Sequence, residues 1–245
     1  MRLNQETITA LDDRGFAVIE PVIDAATVSA TATTLGAVRS GVGVRWRGGV
    51  YAIRNLLDLV PAVDALVHSP VVRSLVAPIL GPDYFIVRGL LFDKTPGANW
   101  GVAWHQDLSI AVRARKAVPG FGPWSVKAGV LHVRPPVPIL ERMLTVRLHL
   151  DAVADDQGPL HVIPGSHRYG RLDAEAVRRW RAEVPAVSCL TARGGALLMR
   201  PLLLHASSPA RVPGHRRVLH LEFAAEPLPA GLEWYGTRTR EPGMP

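Results

Sequence analysis

The sequence predicts a mainly β fold with packing α-helices, on three observations. The first third carries apolar residues at three-and-four spacing, the remainder breaks into short apolar runs bounded by Gly and Pro, and no repeat of fixed period is present. Of the 245 residues 48% are hydrophobic and 20% charged, which allows a sizeable core and excludes global disorder. The length suits one large domain over 1–245, with N-terminal helices in 1–80, a β core over 84–225 and an insertion at 108–142.

Helical spacing covers Thr7 to Asp13, Ala25 to Val38 and Val60 to Leu80, with Asp24 and Ser69 placed as caps. Between the first two, Gly15 to Glu20 reads as a short strand on Phe16, Val18 and Ile19. Further strands are expected at Tyr84 to Lys94, Met143 to Ala152, Pro159 to Ile163, Ala186 to Thr191, Ala196 to Met199 and Arg217 to Ala224. A helix over Asp173 to Glu183 interrupts them, with Asp173 as N-cap. Leu108 to Arg142 has no clear period and is rich in Pro and Gly. A stretch this long in a compact domain is usually functional, so it reads as a lid over a pocket. Leu232, Trp234 and Tyr235 read as covering the barrel or facing a partner.

The net charge of +7 comes almost wholly from arginine, since Lys94, Lys116 and Lys127 are the only lysines. These arginines are scattered, with no basic helix and no nucleic-acid motif, so no nucleic-acid partner is expected. The longest apolar stretches, such as Leu197 to Leu204, fall far short of the roughly 20 residues that cross a bilayer, and no membrane association is expected. The polar opening Asn4-Gln5-Glu6-Thr7 does not read as a secretory leader, and a single cysteine, Cys189, suits a reducing compartment. A cytoplasmic location is expected.

Two histidines and one carboxylate on one face of an octahedron suit Fe(II), because three positions stay open for co-substrate and oxygen. His-x-Asp puts both side chains on one side of an extended segment, and a distant His completes the set from another strand. With nine histidines and twelve aspartates, chance supplies roughly half a His-x-Asp pair. Two occur, at His105-Gln106-Asp107 and His149-Leu150-Asp151, beside a His-x-Glu at His220-Leu221-Glu222. His220 lies too near the C-terminus for a convincing distal partner. Asp151 starts a turn, where Asp commonly caps backbone amides. His105 ends an expected strand just before the lid, where a metal site needs both access and cover.

Four stretches in this order resemble the phytanoyl-CoA dioxygenase family. They are Asp13-Arg14-Gly15-Phe16-Ala17-Val18-Ile19, Trp104-His105-Gln106-Asp107, Gly158-Pro159-Leu160 with Ile163-Pro164-Gly165-Ser166-His167, and His205-Ala206-Ser207 followed by Gly214-His215-Arg216. The resemblance spans about residues 10 to 225. It implies a double-stranded β-helix, a cupin-like jelly roll, with His105, Asp107 and His205 as ligands to Fe(II), and 2-oxoglutarate and O2 as co-substrates. Asp107 favours hydroxylation, because related halogenating enzymes lack this carboxylate; desaturation or ring chemistry stays open.

The far carboxylate of 2-oxoglutarate needs a cation, and arginine supplies a planar fork. Strand alternation leaves Arg216 and Arg217 both open, whereas the family spacing, eleven residues after the distal His, implies Arg216. The resemblance also implies Ser207 as its assistant and Lys94 as a further contact. Where the family often has an aromatic residue facing the co-substrate, this chain has Arg147, either a second anionic contact or half of a buried ion pair. The implied outcome is oxidation of a small molecule with release of succinate and CO2. For substrate, Trp100, Trp104 and Trp124 offer an apolar wall, and Arg88, Arg113, Arg115, Lys127 and His132 offer charge to an anionic group. Two other classes fit the same residues: a cupin-like metalloenzyme that ignores 2-oxoglutarate, making Arg216 and Ser207 dispensable, and a non-catalytic jelly-roll binding module, which tolerates loss of Asp107.

Overall fold

The computed structural model describes residues 3–236. Fourteen strands run in chain order as β1 (Phe16–Ile19), β2 (Val44–Trp46), β3 (Val50–Ile53), β4 (Phe85–Lys94), β5 (Val102–His105), β6 (Ile110–Val112), β7 (Trp124–Lys127), β8 (Val130–Val133), β9 (Leu144–His149), β10 (Leu160–Val162), β11 (Val187–Cys189), β12 (Ala196–Met199), β13 (His205–Ser207) and β14 (Arg216–Ala224). The helices are α1 (Gln5–Arg14), α2 (Ala25–Ala37), α3 (Leu56–Leu59), α4 (Pro61–Val67), α5 (Pro70–Leu80), α6 (Val137–Glu141) and α7 (Ala174–Glu183).

A seven-stranded sheet in the order β1-β12-β9-β14-β4-β3-β2 and a four-stranded sheet, β11-β10-β13-β5, form the expected jelly roll. β14 sits inside the larger sheet, between β9 and β4, and its register decides which face is which. Val218, His220 and Glu222 lie opposite His149, Arg147 and Thr145 on β9, and Phe92, Leu90 and Arg88 on β4; Arg216 lies opposite Lys94. This polar-bearing face lines the cavity described below. The alternate residues Leu219, Leu221 and Phe223 belong instead to the main core, with Val63, Leu66 and Val67 of α4 and Val72, Leu75 and Val76 of α5. Each such side chain buried from water stabilises the fold by about 1.5–3 kcal/mol. The sheet is thereby held by its outer face, leaving the inner one free for chemistry.

The helices start where capping chemistry allows. Asn4, Asp24 and Asp173 each accept from the backbone N–H three residues on, in α1, α2 and α7. The single helix expected over Val60 to Leu80 is two, because Ser69 caps α5 and Pro70 opens it, ending α4 at Val67. No single described helix is long and apolar enough to cross a membrane.

The stretch expected to be an irregular lid is ordered. β6, β8 and β7 make a three-stranded sheet, and Ile110, Val112, Val133 and Leu140 (of α6) pack with Val87, Leu202, Leu228, Leu232 and Trp234 in a second core. Its strands have only three or four residues, too few to show a period between the prolines and glycines. A hairpin, β2–β3, was not anticipated; beside it Asn55 donates to the Ala128 carbonyl at 3.1 Å, tying the main sheet to the small one.

Candidate active site

β13 and β5 pair so that His205 and His105 are directly opposite, with ring centroids 4.2 Å apart. The Nδ1 atoms of His105 and His205 lie 2.8 Å from the carbonyls of Ala103 and Leu203. A carbonyl only accepts, so each Nδ1 carries the proton and each Nε2 lone pair is free for a metal. Asp107 is pinned by its backbone N–H to the Pro201 carbonyl at 2.9 Å. Its carboxylate oxygens lie 3.8 Å from each histidine Nε2. That is too long for hydrogen bonds, so no pair quenches its own lone pairs. Asp107 Oδ2 is buried without a hydrogen-bond partner, an arrangement costly unless an ion completes it. The ligand atoms of His105, Asp107 and His205 lie within 4.8 Å of one another and could hold a metal ion.

Electrostatics favour the metal-ready forms. Burial pushes the His205 imidazole down to about 4 against the pull of Asp107, leaving it neutral near pH 7. For Asp107 burial acts to raise the carboxyl, but His205, His220, His105 and Arg147 outweigh it and hold the group below its ordinary value, hence ionised. Between the two ligands, Gln106 turns away from the site. Its amide donates to Leu202 at 2.7 Å and Gly170 at 2.8 Å, and its oxygen accepts from the Leu172 N–H at 2.8 Å, locking the ligand loop.

Two of the three expected anchors, Ser207 and Arg216, line the same cavity as the triad, and Lys94 is buried behind them against Ser207. The Lys94 ammonium donates to Ser207 Oγ at 2.7 Å and to the carbonyl of Ser208; Ser207 donates to the Gly158 carbonyl at 3.1 Å. Arg216 donates to the Gly158 carbonyl and, at 3.4 Å, to Ser207 Oγ, while its Nε is buried without a partner. Gly158 has φ of 64°, and a Cβ there would stand 2.4 Å from the Ser208 carbonyl, so the Gly-Pro-Leu signature is a steric requirement. Burial, then Arg216 and Arg147, push the Lys94 ammonium down to about 7. The side chains of these two cations meet only neutral acceptors, the Gly158 and Ser208 carbonyls and Ser207 Oγ, so their charge is uncompensated, as expected of a receptor for a carboxylate. Arg217, on the opposite face, makes a bidentate pair with Asp151 at 2.8 and 2.7 Å, and the Asp151 carboxylate also accepts from the Arg217 backbone N–H. His215 and the Arg216 N–H bind Asp93 at 2.8 and 3.1 Å, fixing the start of β14.

The triad, Ser207 and Arg216 open into a cavity of about 510 Å³. A larger one of about 720 Å³ runs along α3, α4 and Tyr84; it holds none of the triad but shares Arg54 and Arg88 with the smaller one. Of the remaining sequence-derived substrate residues, Arg88, Lys127 and Arg147 line the smaller cavity, as does Trp100. Trp104 and Trp124 do not, which corrects the expectation. On β5 the alternation that points His105 inward turns Trp104 outward under Arg181; on β7, Ser125 and Lys127 face the cavity and Trp124 packs beneath Arg115. His132 is also displaced from the wall, fully buried behind it with Nδ1 at 2.9 Å from the Val130 carbonyl. Arg113 lies against Trp234 and Glu233, and Arg115 over the Trp124 ring, both off the cavity. Arg147 binds His220 Nδ1 at 2.9 Å, and His220 Nε2 lies 3.5 Å from Glu222. His149, the rival ligand, is buried on the inner face with both ring nitrogens unpartnered and burial holding it well below its ordinary value, away from any acid cluster. The sequence reading missed Arg54, Arg134 and the His220–Glu222 pair as cavity groups. Nothing local distinguishes those arginines, although the alternation of β14 did put His220 and Glu222 on the face of Arg216.

This fold and site define the class of non-haem iron, 2-oxoglutarate-dependent oxygenases. The chain belongs to the phytanoyl-CoA dioxygenase (PhyH) family, which it matches over residues 11–218. No curated protein sequence matches it. Its fold is similar to that of AviO1 from Streptomyces viridochromogenes Tue57, at 24% identity and a TM-score of 0.64 over 94% of this chain and 99% of that one. It is also similar to EctD from S. alaskensis with 2-oxoglutarate and 5-hydroxyectoine, at 19% identity and a TM-score of 0.71 over 91% and 76% of the two chains. A third similar fold is the non-heme alpha ketoglutarate dependent epimerase SnoN from nogalamycin biosynthesis, at 16% identity and a TM-score of 0.67 over 90% and 80%.

Proposed function

We propose that the protein hydroxylates an unactivated C–H bond of a small molecule, with Fe(II) on His105, Asp107 and His205 and 2-oxoglutarate anchored by Arg216, Ser207 and Lys94. The observation that carries this reading is the convergence, in one cavity, of a triad with free Nε2 lone pairs and Arg216 and Ser207, the arginine with its Nε buried and unpartnered and backed through Ser207 by the buried Lys94. When bound, iron and 2-oxoglutarate supply the oxidising power, with succinate and CO2 as by-products.

The rest is the work of this chain. Ala103 and Leu203 hold the two imidazoles in the tautomer that presents Nε2. Gln106 keeps Asp107 in place through the ligand loop. Arg216 offers a planar fork to a carboxylate, and Lys94 and Ser207 fill its remaining acceptor positions. Leu90, Phe92, Trp100 and the small sheet restrict water around the substrate. Asp107 supports hydroxylation over halogenation because it occupies the position a halide would need. A cytoplasmic location belongs to the same reading, supported by the single, buried Cys189, whose thiol burial pushes up to about 12.

The test is an anaerobic titration of apo-protein with Fe(II) and then 2-oxoglutarate, following the weak visible charge-transfer band of the chelate. The band is expected in the wild type and absent in His105→Ala. Iron binding without a band points to a cupin-like metalloenzyme, and no iron binding removes the proposal.

A further inference from the structure

Beyond the iron and its co-substrate anchors, the cavity carries charge that neither uses. Among the described residues its wall holds Arg54, Arg88, Lys127, Arg134, Arg147 and Arg216 against two acids, Asp107 and Glu222. Asp107 belongs to the metal, Arg216 to the co-substrate end, and Arg147 is engaged with His220. Glu222 is then the one remaining acid on this wall for four cations, two of which, Arg54 and Arg88, also line the larger cavity with Asp58 and Asp64. It lies 3.9 Å from Arg88, a distance outside hydrogen-bond range, and also faces His220. Lys127 has only Ser109 Oγ, at 2.9 Å, and the Arg54 and Arg134 side chains have no hydrogen bond or ion pair among the described residues.

The four cations come from two separate layers. Arg54 follows β3 and Arg88 sits on β4 of the main sheet, whereas Lys127 sits on β7 and Arg134 follows β8 of the small one. Asn55 and Ala128 pin the layers together beside them. Arg88 is only 9% exposed, so it is not a solvated surface arginine. The other three are half-buried, and gathering four cations around a single carboxylate opposes folding. The Lys127 ammonium is accordingly held below its ordinary value by burial and then by Arg88 and Arg54. A second conformation of Glu222 cannot relieve it, because one carboxylate cannot compensate four cations. Leu90, Phe92, Trp100 and Val102 give the same cavity an apolar side.

We infer that the substrate is an acid: an apolar body that meets Leu90, Phe92 and Trp100 and a terminal oxyanion clamped between Arg54 and Arg88 of the main sheet and Lys127 and Arg134 of the small sheet. The inference rests on the dioxygenase reading for the role of the cavity, and it assigns the specificity end of that site. The oxyanion is a carboxylate or a tetrahedral phosphoryl or sulfo group, all of which take charge-assisted hydrogen bonds from such a set. Two of the four cations line the cavity from the small sheet, so a bound oxyanion bridges the two layers.

The probe is inorganic sulfate, with phosphate and acetate in parallel, titrated into protein loaded anaerobically with Fe(II) and 2-oxoglutarate. Heat of binding and the charge-transfer band are followed together. Saturable binding is expected in the wild type, weakened about tenfold or more in Arg88→Gln and in Lys127→Gln and lost in the double variant. It should be unchanged in Arg178→Gln, an exposed arginine of α7. Persistence of the band in each variant shows that the fold and chelate survive. Preference for sulfate or phosphate assigns a tetrahedral group, and preference for acetate a carboxylate. Equal affinity in wild type and double variant, or no saturable binding of any of the three, overturns the inference while leaving the oxygenase reading intact. Absence of the band before any anion is added removes that reading, and the inference with it.

Discussion

The two faces of β14 differ by one residue of offset and by everything else. Arg216, His220 and Glu222 look into the cavity, with Val218 on the same face, whereas Arg217, Leu219, Leu221 and Phe223 look toward helices or solvent. Both faces belong to one rigid strand paired on both sides, so the polar groups inherit positional precision from packing they do not share. Stability and chemistry are thereby separable by residue parity, which is a claim that mutations can break.

The largest effect is expected on the chemical side. His205→Ala removes a ligand that is 3% exposed and has no substitute nearby, so iron binding and any succinate release should fall to background in metal and turnover assays. Thermal unfolding of the apo-protein should change far less, because the lost ring supports no core contact comparable to Phe223. On the opposite face Phe223→Ala should do the reverse. It empties a fully buried site packed against Tyr84 and should cost about 3–5 kcal/mol in denaturant unfolding. Below its lowered melting temperature, the 2-oxoglutarate affinity should match the wild type. A change in that affinity would mean the two faces are coupled.

Arg216→Gln and Arg217→Gln sharpen the contrast between neighbours. The first should weaken 2-oxoglutarate by about 10- to 100-fold with iron affinity retained, as befits loss of a charge-assisted fork. The second breaks a bidentate pair with Asp151 that is 24% and 19% exposed; it should cost about 1 kcal/mol of stability or less and leave 2-oxoglutarate binding alone. The opposite ranking would move the anchor to Arg217.

This pair also marks how far the sequence could be read. Period-two alternation put Arg216 with His220 and Glu222, yet it did not say which face was inside, because both faces of a jelly-roll sheet are buried, one by the other sheet and one by helices. Only register against β4 and β9 resolves it. Long or strongly bounded elements such as Ala196–Met199 and β4 were legible, as was the triad, whose residue types are scarce. Trp104 and Trp124 were misjudged because a four-residue strand offers no frame for parity until its partner is known. Arg54 and Arg134 were invisible among scattered arginines, for their significance lies in the absence of acids around them, a property of three-dimensional neighbourhood alone.

The smallest effect concerns pH and discriminates Lys94 from a mere structural cation. Its folded value of about 7 lies far below the ordinary 10.5, so the folded chain binds fewer protons than the unfolded chain across that interval. This one group therefore makes stability rise with pH from about 7 toward 10.5, with its full penalty below 7. A bound carboxylate favours the charged ammonium and raises that value again. Binding 2-oxoglutarate above pH 7 must then take up a proton, and affinity should fall as pH rises from 7 to 9, by at most about tenfold per unit. Burial and then Arg147 push the Arg216 guanidinium down only to about 9, so between pH 7 and 8 it stays cationic and the slope there belongs to Lys94. Calorimetry in buffers of different ionisation enthalpy reads the uptake directly, and Lys94→Met should abolish both the uptake and the slope while lowering affinity at pH 7. A wild-type slope that survives in Lys94→Met would place the titrating group elsewhere, and Lys94 would then act only by holding Ser207 and the Ser208 carbonyl beneath the co-substrate.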